Sequence, residues 1–159
     1  KSLSEFENCD SLVIPGGEST AISKLLISTK IDKAIIEKAS KGFPIWGTCA
    51  GLILISNQII ENYPDPLKLI NITTSRNFYG RQIDSFVEKI HFEDANFEAI
   101  FIRAPKIVST KKDIEVLSST HDGTPVAVKS KNIFGTSFHP ELTDDLRIHK
   151  MFVEMTKNK

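Results

Sequence analysis

The chain has 159 residues, 25% of them charged and 40% apolar, and its 20 Lys plus Arg balance 20 Asp plus Glu. That length suits one domain with a sizeable core, and the even charge makes no electrostatic case for a nucleic acid or an anionic membrane. No apolar run approaches the ~20 residues of a transmembrane helix and no signal-peptide pattern is visible; Cys9 and Cys49 make no disulfide framework, so a reducing, cytoplasmic setting is expected.

Ser11 to Ile14 is a short apolar run closed by Pro15-Gly16-Gly17, which reads as a buried strand entering a Gly-rich turn. Ser19 and Thr20 are helix N-cap types, and Ile22, Leu25, Leu26 and Ile27 offer an apolar face to a first helix. A second helical pattern runs from about Asp32 to Ser40, with Ile31, Ile35 and Ile36 inward and Gly42 as its stop. Phe43 to Thr48 reads as a buried strand, followed by a helix from about Ala50 to Ile60. Leu67 to Thr73 is a candidate strand, whereas Ser75 to Gln82 is polar and aromatic without clear periodicity. Phe86, Val87 and Ile90 suggest another strand, and Ala99 to Ala104 one more, broken by Pro105. Ile114 to Thr120 and Pro125 to Lys129 flank Asp122-Gly123, a strong hairpin signal. A strand from Asn132 to Phe138 leads to His139-Pro140-Glu141, and Leu146, Ile148, Met151, Phe152, Val153 and Met155 stripe a terminal helix. Helices and strands alternate early and antiparallel signals dominate late, which predicts an α/β fold, mainly parallel with added antiparallel strands.

Three stretches carry chemistry. In Gly47-Thr48-Cys49-Ala50-Gly51 the glycines permit a sharp strand-to-helix turn with the cysteine thrust out at its apex. The N-terminal end of the following helix favours a thiolate and a developing oxyanion there. His139-Pro140-Glu141 supplies a base for such a nucleophile and a carboxylate to set its tautomer. Pro15-Gly16-Gly17-Glu18-Ser19-Thr20 can expose backbone N–H groups as an oxyanion hole or ligand cradle, but lacks the Gly-Lys-Ser/Thr of a phosphate loop. Taken singly, these would be a buried structural cysteine, a surface His and Glu, and an ordinary turn; their joint occurrence at strand ends favours a site. His91 and His121 lack a useful neighbouring carboxylate, and His149 reads as an exposed helix residue. His and Cys are too scattered for a metal site, and no cofactor is expected.

Gly47-Thr48-Cys49-Ala50-Gly51 with His139-Pro140-Glu141 resembles the class I glutamine amidotransferases, whose Cys-His-Glu triad sits on a flavodoxin-like three-layer sheet. Pro15 to Thr20, Arg76-Asn77-x-x-Gly80-Arg81-Gln82-x-Asp84-Ser85-Phe86, Phe101 to Pro105 and Thr136 to Leu142 look like the branch that serves as glutaminase subunit of pyridoxal 5′-phosphate synthase. The resemblance implies Cys49 as nucleophile, His139 as base and acid, and Glu141 as its orienting group. It implies an oxyanion hole from Gly16, Gly17 and Ala50, and contacts to L-glutamine from Gly17, Glu18, Ser19, Arg76, Ile102 and Arg103. It further implies a glutaminase that is weak alone and activated by a (β/α)₈ barrel synthase partner, to which it passes ammonia.

Members of that family begin with a strand and a Leu-Gln-Gly turn ahead of this region, whereas only 14 residues precede Pro15 here. The expectation is therefore a single but N-terminally incomplete domain, with a gap in the sheet beside the strand that carries Cys49. A cysteine peptidase or other hydrolase on the same scaffold, and a non-catalytic binding subunit, are the competing readings; neither accounts for the full set of motifs.

Overall fold

A computed structural model describes residues 2–76 and 85–157. The chain opens with helix α1 (Leu3–Glu7), which the sequence reading does not anticipate and which a reciprocal capping box between Ser2 and Glu5 starts. Strand β1 (Leu12–Ile14), helices α2 (Ser19–Ser28) and α3 (Ile31–Ser40), strand β2 (Ile45–Thr48) and helix α4 (Ala50–Ile55) follow. Then come β3 (Ser56–Ile59), β4 (Ile70–Ser75), β5 (Ser85–Phe92), β6 (Ala95–Ile102), β7 (Lys106–Thr110), β8 (Glu115–Ser119), β9 (Pro125–Ser130) and β10 (Ile133–Thr136). A 3-10 turn at Pro140–Leu142 and helix α5 (Arg147–Lys157) complete it.

The main sheet runs β1-β2-β10-β9-β8. Its first three strands are parallel and the last two antiparallel. β3-β4-β7 form a smaller sheet, and β5 and β6 pair as a hairpin. Alternation along β2 and β10 builds the layers, because successive side chains face opposite sides of a strand. Ile45 and Ile133 enter a core with Ile14 of β1 and with Ile35, Leu52 and Ile55 from the helices on one face. Trp46 and Phe134 enter a second core with Phe138, just past β10, and with Phe97, Phe101, Ile148 and Phe152 from the hairpin and α5 on the other. The mixed α/β architecture agrees with the expected class.

The expected gap does not fall beside β2, which pairs with β1 on one side and β10 on the other. Among the described residues the outer strands of this sheet are β1 and β8, and β1 runs alongside an apolar groove of about 790 Å³ lined by Val13, Ile22, Leu25 and Ile31 among others.

Several element assignments change. The helix expected to reach Ile60 stops at Ile55, because the buried Ser56 hydroxyl donates to the Ile53 carbonyl and the chain passes into parallel pairing with β4. Pro105 interrupts rather than ends the strand signals, and β7 begins at the next residue to pair with β4. Leu25, Ile27, Ile36, Leu146 and Val153 are exposed, since the buried stripes use Ser19 and Ser23 on α2, Ile35 on α3, and Ile148 and Phe152 on α5. His149 is half-buried rather than exposed, its ring edge-on to Trp46 with centroids 5.2 Å apart. Of the stretch from Ser75 to Gln82 and the motif that continues to Phe86, residues 77–84 lie outside the described residues. No helix among those described is long and apolar enough to cross a membrane.

Candidate active site

Three glycines explain how the elbow forms. A Cβ on Gly47 would lie 2.5 Å from the Gly51 carbonyl oxygen, one on Gly135 2.5 Å from Leu52 Cδ1, and one on Gly51 would fall on the Ile14 carbonyl oxygen. Only with all three bare can α4 descend onto β1, β2 and β10, and that descent forces the turn at Cys49. Cys49 takes φ 50° and ψ −108°, an uncommon conformation for a residue with a side chain. The sheet holds it there, for its N–H donates to the Thr136 carbonyl at 2.9 Å, and the neighbouring Thr48 hydroxyl donates to Phe138 O at 2.8 Å.

β10 brings His139 to the same end. His139 follows Thr136 by three residues, and its backbone N–H donates to Ile100 O of β6 at 2.8 Å. Its Nδ1 lies 2.8 Å from Glu141 Oε1, a contact made short by the 3-10 turn at Pro140. The imidazole also hydrogen-bonds Cys49, and that bond, opposed by burial and reinforced by Glu141, pushes the His139 pKa up from 6.5 to about 9. The ring side chain is only 12% exposed, while the Glu141 side chain is 44% exposed. Cys49, His139 and Glu141 thus come together, from two parallel strands, at carboxyl ends where open α/β sheets place their ligands.

The Gly-rich turn closes the front. A Cβ on Gly16 would sit 2.6 Å from His139 Cε1 and 3.5 Å from Cys49 Cβ, so this backbone lies against both side chains. Gly17 follows with φ 135°, open to glycine but strained for other residues. Ala50, buried at the first position of α4, has a backbone N–H in the first turn, where helices leave donors without an internal partner. The helix cap of α2 differs from expectation. Glu18, rather than Ser19 or Thr20, is the N-cap, accepting from the N–H groups of Thr20 at 3.1 Å and Ala21 at 2.7 Å. The Thr20 bond is the main reason the Glu18 pKa lies below its usual value. Ser19 is buried at the first position of the helix.

The remaining residues approach from two other strands. Arg76, at the end of β4, donates through Nη2 to Glu18 Oε1 at 3.3 Å and through Nη1 to Tyr63 O at 3.0 Å. Ile102 ends β6, and what it offers the elbow is its carbonyl oxygen, 3.8 Å from Cys49 Sγ. Arg103 takes φ 45°, a sharp bend directly after that carbonyl. Neither the Ile102 carbonyl contact nor the carboxylate of Glu61, which binds Ser75 and Arg76, has a signature in the sequence. Both follow from backbone paths at strand ends. Among the described residues no three His, Cys, Asp or Glu side chains gather as metal ligands.

Comparison with known proteins bears on this geometry. The sequence model of the SNO glutamine amidotransferase family matches residues 1–158. The chain belongs to that family. Among similar glutamine amidotransferase-family sequences, the pyridoxal 5′-phosphate synthase subunit PdxT of Thermotoga petrophila is 46% identical over 157 residues, spanning 96% of this chain and 82% of that protein. The subunit of the same name from Corynebacterium jeikeium is 43% identical over 159 residues, spanning 98% and 82%. A solved glutamine amidotransferase superposes with a TM-score of 0.92 at 35% identity, covering 98% of this chain and 84% of that one. PurLQS from Thermotoga maritima shares the fold alone, at a TM-score of 0.69 and 18% identity over 99% of this chain and 82% of that one.

Proposed function

We propose that the chain hydrolyses L-glutamine to L-glutamate and ammonia and delivers the ammonia to a pyridoxal 5′-phosphate synthase partner of (β/α)₈ barrel form. The observation that carries this is the placement of His139 between Cys49 and Glu141, on the scaffold of a glutamine amidotransferase family member. Relatives named as synthase subunits support the partner. The reaction runs in a reducing compartment, the cytoplasm, where the Cys49 thiol stays free.

Each step uses a group already in position. His139 takes the Cys49 thiol proton, the sulfur attacks the carboxamide carbon, and the carbonyl electrons move onto oxygen. Backbone N–H groups of Ala50 and the Gly16-Gly17 turn receive that oxyanion. Protonated His139 gives its proton to the departing nitrogen, the C–N bond breaks, and ammonia leaves a glutamyl thioester on Cys49. His139, now neutral, takes a proton from water as it attacks the thioester, and glutamate departs with the sulfur restored. Glu141 keeps the imidazole oriented throughout and stabilises its charged form. Gly17, Glu18, Ser19, Arg76, Ile102 and Arg103 surround the substrate, with the arginines suited to its carboxylate.

Ammonia release from glutamine, measured with and without the synthase subunit, tests the reading. Wild-type protein is expected to release ammonia faster with the partner, and Cys49→Ala to release none in either condition. Undiminished release by Cys49→Ala would overturn it.

A further inference from the structure

Arg76 is a long side chain at a strand end, and its ion pair with Glu18 is too exposed to hold it: the two side chains are 25% and 57% accessible. Pairs of that kind are weak and mobile on their own. The backbone beneath Arg76 is nevertheless fastened. Glu61 Oε1 accepts from the Arg76 N–H at 2.9 Å and from the Ser75 hydroxyl at 2.8 Å. Its other oxygen, Oε2, is buried.

Glu61 stands where it can do this because β3 and β4 are parallel neighbours. Ile59 pairs with Thr74, and the Ile60 N–H donates to Thr74 O at 2.9 Å, so the residue after Ile60 emerges beside Ser75 and Arg76. The chain beyond Glu61 then supplies the Tyr63 carbonyl that accepts from the Arg76 guanidinium. Glu61 thus anchors one end of Arg76 and leads into the loop that holds the other. Arg76 in turn reaches Glu18, next to the Gly16-Gly17 turn that lies on His139 and Cys49.

We propose that Glu61 is a positioning residue for glutamine recognition, acting through Arg76. By binding the Arg76 N–H with a carboxylate, it sets the guanidinium between Tyr63 O and Glu18, preorganised for the substrate carboxylate. A charged acceptor suits the task, since hydrogen bonds to ionised groups are about twice as strong as neutral ones. The inference rests on the substrate role given to Arg76 above.

Four proteins assayed for ammonia release in the presence of the synthase subunit test it: wild type, Glu61→Ala, Arg76→Ala and the double variant. Glu61→Ala is expected to raise KM for glutamine about tenfold with kcat within about twofold of wild type, the size set by losing a charge-assisted bond. The double variant is expected to match Arg76→Ala, because a residue that acts through Arg76 has nothing left to position. If Glu61→Ala is insoluble, Glu61→Asp, one methylene too short to reach both donors, replaces it with the same expected split. Unchanged KM, a fall confined to kcat, or additive losses in the double variant would each overturn the role of Glu61. Arg76→Ala with wild-type KM would instead remove the substrate role of Arg76 itself, so the two failures are distinguishable.

Discussion

The back and the front of the Cys49 elbow are held by different kinds of contact. Behind Cys49, α4 rests on β1 and β2 with backbone against backbone and on β10 through Leu52 over Gly135, and the space a methyl group would need at Gly51 is taken by the Ile14 carbonyl. In front, Gly16 faces the edge of an imidazole ring, and Glu141 and the Arg76–Glu18 pair reach in from partly exposed loops. Backbone contact in a sheet cannot yield without moving a strand, whereas a ring or a carboxylate can rotate. The back fixes where the sulfur is, and the front fixes how it reacts.

Substituting the two glycines separates these roles. Gly51→Ala drives a methyl group into the β1 backbone at the centre of the core. Overpacking there costs about 3 kcal/mol or more, which for a domain of this size lowers Tm by roughly 10 °C. Thermal unfolding followed by circular dichroism reads the effect, and an unchanged Tm would mean that α4 does not seat on β1 as described. Gly16→Ala meets a side chain that can turn away. The new Cβ, 2.6 Å from His139 Cε1, displaces the ring from Cys49. A catalytic group misplaced by about 1 Å costs roughly 10²-fold, so kcat is expected to fall by that factor while Tm changes little. If activity survives, the turn does not press on the base.

The same division explains what could be read from residue order. The proposed triad was legible because its parts are local: two of the three glycines that allow the elbow, Gly47 and Gly51, flank Cys49 within five residues, and Pro140 sets His139 against Glu141 within three. Both strands that carry them are short apolar runs, and the parallel core followed from them. The front is assembled from strand ends distant in sequence, so its details were hidden. Nothing near Glu61 announces that parallel pairing of β3 with β4 delivers it to Arg76. Ile102 was expected at the site, yet the approach of its carbonyl oxygen to Cys49 depends on where β6 ends and on the bend at Arg103. Apolar periodicity likewise located α2 but assigned its face only in part, for Ile22 and Leu26 do pack against the core. The inward stripe there includes the small polar Ser19 and Ser23, and Leu25 and Ile27 stand outside it. Tertiary pairing also overrode the expected helix after Ile55, where Ser56 to Ile59 became β3.

Glu141→Gln tests how loosely the front is held. The His139 pKa near 9 owes most to the hydrogen bond with Cys49, and Glu141 adds a smaller part against the cost of burial. The carboxylate is partly open to water, which can take over some of its hydrogen bonding. Removing its charge is therefore expected to lower kcat by about tenfold, less than the roughly 10²-fold or more that an acid–base group itself contributes, without abolishing activity. The pH dependence carries the sharper signal. In the proposed reaction the imidazolium protonates the leaving nitrogen, so wild-type kcat/KM should decline as pH rises through about 9, and in Glu141→Gln this decline should begin at lower pH. Stability follows the same direction. Because folding raises the His139 pKa from 6.5 to about 9, its stabilisation is complete below pH 6.5 and is lost as pH climbs through 9. The variant has a smaller shift, and so should lose less stability across that window. Coincident alkaline limbs for the two proteins would show that Cys49 alone sets the state of His139, and that the front of the site is as firmly fixed as the back.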